Sequence, residues 1–244
     1  MVKRTIIKLS GEAIGDSKAA SGYNDPVIDN VVKQIAEVIN AGTQVALVVG
    51  GGNLWRGHQA RLDMDRVKAD NMGMLATVMN AIYLTEAFKR RHVKAMVMTP
   101  VPISNMTRLY EKDMALEEMA NQTVLINAAG LGHPYFSTDT ITALRAAELE
   151  ADMVLYAKNI DGIYESDPKV NLSARKYKTL SYKTAIKAGL NAADIAAMHL
   201  SNENNIPSYI FGLNITDSIK QACAYPDTAG LNGTYMHVGV DDSF

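Results

Sequence analysis

Apolar positions in this chain fall into short continuous runs separated by longer amphipathic stretches. Thr5 to Leu9, Val45 to Val49, Ala95 to Thr99, Thr123 to Asn127 and Asp152 to Ala157 each read as a strand. The Val45 run, with three valines and no polar alternation, has the pattern of a parallel strand buried on both faces. Between the first two runs, Asp25-Pro26 opens a helix carrying Val27, Ile28, Val31, Val32, Ile35, Val38 and Ile39 on one broad face, and Gly42 closes it. Strand, helix and strand make a βαβ unit, for which a right-handed crossover is expected. A longer helix is predicted from Asp70 to about Arg91, with Met72, Leu75, Val78, Met79, Ile82 and Phe88 as its buried stripe. Beyond Ala157 the alternation becomes less regular. Pro168 to Tyr177 is polar and loop-like, and the pattern resumes at Pro207 to Phe211, Asp217 to Ala222 and Thr234 to Val238. The pattern predicts an α/β chain of two lobes sharing one sheet, with the seam near Ala157.

Several of these strands end in unusual residues. Val49 empties into Gly50-Gly51-Gly52, a bare backbone whose N–H groups suit an anion, and Arg56 follows with a guanidinium fork. A tight turn followed by a solvated arginine has the same spelling. Lys8 stands near the carboxyl end of the first strand, where open α/β sheets bind ligands, and Ser10-Gly11-Glu12 follows it. It is either a phosphate ligand or a lysine snorkelling from a strand end. Asp70, at the predicted amino end of the long helix, suits a helix cap or an acceptor for the vicinal hydroxyls of a ribose. The strand at Thr123 runs into Ala128-Ala129-Gly130-Leu131-Gly132-His133-Pro134-Tyr135-Phe136-Ser137-Thr138-Asp139, a glycine turn leading to a helix start that favours anions. Tyr135 stands where a dinucleotide fingerprint requires its third glycine, which disfavours a hydride-transfer enzyme.

Composition narrows the chemistry. The chain has 244 residues, with 24 Lys and Arg against 26 Asp and Glu, so no bulk charge points to nucleic acid or an anionic membrane. No signal-peptide core follows Met1 and no apolar run is long enough to span a bilayer, so a cytoplasmic protein is expected. Cys223 is the only cysteine, which rules out an intrachain disulfide. The five histidines lack ligand spacing, and the 13 methionines mostly fall at helical spacing, as core filler. No G-x-x-x-x-G-K-[ST] is present. A nucleotide phosphotransferase on this chain therefore gathers its charges from Lys8, two glycine turns, helix amino ends and Mg²⁺. Moving a phosphoryl group to a phosphate acceptor is mostly alignment and charge stabilisation, and needs no strong general base.

Taken in order, the stretches Lys8 to Glu12, Gly50 to Gly57, Met72 to Asn80, Pro134 to Asp139, and Asp161 to Tyr164 with Asp167-Pro168 resemble the bacterial uridylate (UMP) kinases of the amino acid kinase superfamily. The resemblance spans almost the whole chain. It implies a single domain over 1–244, a three-layer α/β/α sandwich with a mainly parallel central sheet. About 1–157 would hold UMP and about 158–244 ATP. By the same resemblance Lys8, Leu9, Ser10, Gly11, Gly52 and Arg56 hold phosphates, and Lys158, Asn159, Tyr164 and Asp167 surround the ATP base and ribose. UMP meets Gly51, Asp70 and the loop Leu131, Gly132, His133, Pro134, Tyr135, Phe136, Ser137 and Thr138. Asp194 matches a carboxylate that orients the strand-end lysine, its other reading being a helix cap, and joins Lys8 and Arg56 as catalytic. Mg²⁺ arrives with ATP, and Asp139 is the one protein group placed near it. The resemblance further implies a homohexamer that responds to GTP and UTP. Three departures stand out. Ser17 to Asp25 lacks the family's usual Gly-Phe-Gly-Ile-Asp, His133 replaces a common Asn, and Lys158-Asn159-Ile160 is one residue shorter than in some relatives. The alternatives are another phosphotransferase of the superfamily, acting on a carboxylate or carbamate, and a nucleotide-binding relative without turnover.

Overall fold

The computed structural model describes residues 2–55, 63–224, 232–239 and 242–244. In chain order it runs β1 (Arg4–Leu9), α1 (Gly11–Ile14), α2 (Asp25–Asn40), β2 (Gln44–Val49), α3 (Arg66–Lys89), β3 (Ala95–Thr99), β4 (Arg108–Leu109), α4 (Lys112–Ala120), β5 (Val124–Asn127), α5 (Thr138–Glu148) and β6 (Met153–Lys158). It continues through β7 (Thr179–Ser181), α6 (Tyr182–Lys187), α7 (Ile195–Glu203), β8 (Ser208–Gly212), α8 (Ser218–Ala224) and β9 (Gly233–His237). The strands form one sheet in the order β4-β3-β5-β2-β1-β6-β8-β9-β7. All neighbours are parallel except β8 and β9.

Alternate residues of the central strands enter two separate cores. Ile7, Leu9, Val45, Leu47 and Val49 pack under α2, α3 and α8. Ile6, Ala46, Val48 and Val154 pack on the other face with α4, α5 and α7. This period-two division with both faces covered is what makes the strand runs continuously apolar. It also gives the expected three-layer sandwich. Helix α2, after β1, covers one face, whereas α5, before β6, covers the other, so the connections diverge around β1. In open α/β sheets ligands sit at such a divergence, beyond the carboxyl ends of the strands. The register levels those ends: Leu9 lies opposite both Val49 and Ala157, and Val48 opposite Asn127. The loops after β1, β2, β5 and β6 therefore rise from one edge.

Helix α3 corrects the sequence reading twice. It begins at Arg66, and its cap is Asp65, which accepts from the Lys68 N–H at 3.1 Å, so Asp70 lies inside the helix and is no cap. Of the predicted stripe only Val78 and Phe88 are buried. Met72, Leu75, Met79 and Ile82 are 41%, 55%, 57% and 38% exposed. The buried face is instead built from Ala69, Ala76, Thr77, Asn80, Ala81, Leu84 and Ala87. Small residues bring the helix axis close to the sheet and the glycine turn: a Cβ on Gly51 would stand 2.9 Å from that of Ala76. Hydrophobic size alone finds Val78 and Phe88 but takes the other four positions from the exposed side of the helix.

Candidate active site

At the end of β1 the Lys8 ammonium, mostly buried, lies 2.9 Å from Oδ1 of Asp139. Asp139 sits in the first turn of α5, whose cap is Ser137, with the Asp139 N–H donating to the Ser137 Oγ at 2.9 Å. Burial by itself raises the Asp139 carboxyl, but Lys8, Lys158 and a hydrogen bond from the Asp194 backbone outweigh it and hold the group below its ordinary value. The ion pair's contribution to stability is therefore present above the ordinary carboxylate range and lost as pH falls through the lower folded value. The difference in unfolding free energy between the wild type and Asp139→Asn, followed by urea titration, is expected to stay flat from neutral pH down to about pH 4 and to shrink below it.

Asp194 does not touch Lys8; the lysine's partner is Asp139. The Asp194 carboxylate caps α7 by accepting from the Ala197 N–H at 2.7 Å. Its other oxygen accepts from the hydroxyls of Ser137 and, at 2.8 Å, Thr140. Asp194 thus ties the start of α5 to the start of α7, which departs from the expectation that it orients the strand-end lysine. Lys158, at the end of β6, donates to the carbonyl of Ala192 at 2.5 Å. Burial and the neighbouring Lys8 charge lower its pKa, partly offset by Asp139 and Asp194. Two lysines and two carboxylates share one poorly hydrated corner. There, fixed charges act more strongly than in bulk water.

The glycine turn after β2 is pinned by the Gly50 N–H, which donates to the Leu9 carbonyl at 3.0 Å. Leu9 itself is wholly buried in the core, so only its backbone reaches the site. Gly11 packs directly onto this turn: a Cβ there would lie 2.5 Å from the Gly50 oxygen and 2.8 Å from the Gly52 nitrogen. Arg56 lies outside the described residues.

Two hollows lie at this end of the sheet, one bordered by Lys8 and the other by Thr138, which precedes Asp139 in the chain. The larger, about 790 Å³, is bordered by Lys8, Ser10, Lys158, Asn159, Tyr164 and Asp167, together with Pro168 and Leu190. Tyr164 is held from behind through its hydroxyl, which donates to Asp161 at 2.9 Å, and Asp161 in turn pairs with Lys176 at 2.7 Å. The smaller, about 170 Å³, is bordered by Gly51, Asp70, His133, Phe136 and Thr138. Sequence reasoning missed its Trp55, Gly73 and Met74. The motif Met72 to Asn80 by itself assigns no roles to its members; the Trp55 indole N–H donates to the Ala69 carbonyl at 2.8 Å, which joins Trp55 to the helix that carries Gly73 and Met74. Other members of the predicted loop face elsewhere. Leu131 packs on the core, Ser137 turns to Asp194, and the Tyr135 ring is exposed beneath the Arg66 guanidinium at 5.2 Å. Tyr135 holds a left-handed backbone, φ 71°, and its N–H donates to Asp70 at 2.8 Å. Arg66 donates to both oxygens of the same carboxylate at 2.9 Å. Gly132, φ 76°, abuts Pro100 and Val101, and Pro134 lies outside the pocket lining.

The sequence profile described as the amino acid kinase family matches residues 3–212. The chain belongs to the amino acid kinase family. Within it, the chain is 45% identical over 224 residues to the uridylate kinase of Pediococcus pentosaceus, covering 91% of this chain and 92% of that protein. The crystal structure of UMP kinase from Bacillus anthracis superposes with a TM-score of 0.91 at 32% identity, covering 98% of this chain and 97% of that one. UMP kinase from Ureaplasma parvum gives a TM-score of 0.88 at 33% identity, covering 96% and 98%. As an amino acid kinase of the uridylate kinase type, the chain has a known chemistry, phosphoryl transfer from ATP.

Among the described residues no three His, Cys, Asp or Glu side chains converge as a metal cage. A carboxylate pair with one member saturated, Asp194, and one beside a lysine, Asp139, still suits Mg²⁺, which is usually held by one or two carboxylates plus substrate phosphates and keeps several waters.

Proposed function

We propose that this amino acid kinase transfers the γ-phosphoryl group of ATP to UMP, giving ADP and UDP. The reading rests on one observation above all: two hollows of unequal size open at the same end of the sheet, the larger bordered by Lys8 and the smaller by Thr138, the chain neighbour of the Asp139 that pairs with Lys8. The larger takes ATP, with Tyr164 and Asp167 near its base and ribose and the glycine turns near its phosphates. The smaller takes UMP, with Asp70 on the ribose hydroxyls, Thr138 at the positive end of α5 and Phe136 against the base. Residues 1–157 would thus form the acceptor side and 158–244 the nucleotide side of one sheet.

Lys8 and the turn at Ser10 to Gly11 stabilise charge on the transferring group, and the fixed start of α5 sets the direction of approach. Asp139 would hold Mg²⁺ together with the substrate phosphates. When bound, the ion neutralises charge on the shared phosphate oxygens. No side chain has to remove a proton, because the acceptor is already an anion at neutral pH. The proposed setting is the cytoplasm; no described helix is long and apolar enough to cross a membrane.

A coupled ADP-release assay with MgATP tests the reading, comparing UMP, CMP, dTMP, acetylglutamate and aspartate as acceptors. UMP-selective turnover is expected. Turnover with a carboxylate acceptor would replace the substrate assignment, and nucleotide binding without turnover on any acceptor would replace the enzyme with a binding protein.

The exposed stripe of α3 supports assembly into a homo-oligomer, with the hexamer as the expected form. Met72, Leu75, Met79 and Ile82 recur at helical spacing on one face, and the exposed Met106 borders one hollow with Ile82. Leu75→Glu is expected to shift the sedimentation coefficient to a smaller species. An unchanged assembly would move the interface elsewhere.

A further inference from the structure

Helix α3 carries two polar side chains where its packing face should be apolar. Thr77 and Asn80 are three residues apart, hence on one face, and both are buried, Asn80 completely. Neither is a strong helix former, and a buried polar group is tolerated only when its hydrogen bonds are made. Here they are made to loops. The Asn80 amide donates to the Gly50 carbonyl at 2.6 Å and to Asn53 Oδ1 at 2.7 Å, and Asn53 returns a bond to Asn80 Oδ1 at 3.2 Å. The Thr77 hydroxyl donates to the Met74 carbonyl at 2.7 Å and accepts from the Ala129 N–H at 2.7 Å. Ala129 is a non-glycine residue in the left-handed region, φ 60°, at the point where the chain turns from β5 into the loop that ends at the α5 cap. Such a conformation persists only when its surroundings impose it.

We propose that Thr77 and Asn80 are positioning residues for phosphoryl transfer. They reference the glycine turn and the acceptor loop to one rigid helix, and so fix the distance between the phosphates of the two substrates. The third loop is included through Asn53, whose Oδ1 stands 2.9 Å from where a Cβ of Gly11 would be. Three loops from three strands thus share one ruler, and alignment within a fraction of an ångström is what this chemistry needs. A purely apolar face would pack α3 on the sheet equally well, but would leave the Gly50 carbonyl and the Ala129 N–H without these partners.

The inference rests on the kinase reading, so the test pairs turnover with a readout that needs no substrate. Thr77→Val removes the hydroxyl at nearly constant volume, and Thr77→Ser restores it. In Thr77→Val, kcat with MgATP and UMP is expected to fall about tenfold or more, as for loss of one buried hydrogen bond. Amide exchange over 128–136 should accelerate in the substrate-free protein, while exchange in β1 and β2 stays at the wild-type rate. Thr77→Ser should recover both to within about twofold. Asn80→Asp, which keeps the acceptor but loses the donor, should accelerate exchange over 50–55 instead. A folded Thr77→Val with wild-type kcat and wild-type exchange overturns the proposal, as does a serine variant no better than valine. A wild type that exchanges as described but phosphorylates no UMP sinks the kinase reading, and with it the catalytic half of this one, leaving the anchoring of the loops to be judged by exchange alone.

Discussion

Lys8→Ala is expected to lower kcat for UMP phosphorylation by about two to three decades, the loss typical of one preorganised charge donor, about 3–4 kcal/mol. Lys8 is the only lysine of β1 and projects from a buried strand to the border of the larger hollow, so no other side chain of that strand can replace it. The variant also strands Asp139. An uncompensated carboxylate in a mostly buried corner is costly, and the group relieves that cost by taking up a proton. Part of the rate loss should therefore come from neutralising Asp139, and Lys8→Ala combined with Asp139→Asn should cost less than the sum of the two single changes. Steady-state kcat and KM for ATP and UMP in all three variants measure this coupling. A Lys8→Ala enzyme that keeps wild-type kcat would remove the lysine from the transfer step.

Gly11→Ala is expected to produce the second largest loss, by geometry alone. The new Cβ would meet the Gly50 carbonyl oxygen at 2.5 Å and the Gly52 nitrogen at 2.8 Å, and both obstacles are backbone that cannot rotate aside. Relief requires the turns after β1 and β2 to separate. Overpacking of this kind costs about 1–3 kcal/mol, and for a chain of this length each kcal/mol lowers Tm by about 2–4 °C. The separation also displaces the groups proposed to hold the ATP phosphates, so KM for ATP should rise more than KM for UMP. Calorimetry together with the two KM values checks both halves. An alanine variant with unchanged Tm would mean that the turns are not packed as described.

The sheet was legible because its central strands are buried on both faces, and continuous runs such as Val45 to Val49 have no competing explanation. The beginnings of the site were legible for a related reason. A lysine at the end of an apolar strand and three consecutive glycines are departures from a pattern, and each departure lies where the strand ends. Three things were not legible. Helix α3 packs by small residues, a preference that hydrophobic periodicity does not register because alanine weighs so little in it. Asp139 and Asp194 both precede or open a helix, and sequence spacing cannot say which carboxylate turns to Lys8; that choice is made by the hydroxyls of Ser137 and Thr140, which claim Asp194 first. Thr77 and Asn80 were visible as members of a motif, but their purpose depends on loops 27 to 52 residues away along the chain.

The exposed side of α3 also bears on what stability means for this protein. A helix that turns its alanines and Leu84 to the sheet leaves Met72, Leu75, Met79 and Ile82 toward water, and water is a poor place for them. In the proposed homo-oligomer, where a second copy would cover that stripe, the folded state would gain free energy from an encounter rather than from the chain itself. Folding and association would then be linked equilibria, and the resistance of the protein to unfolding would depend on how much of it the cell makes.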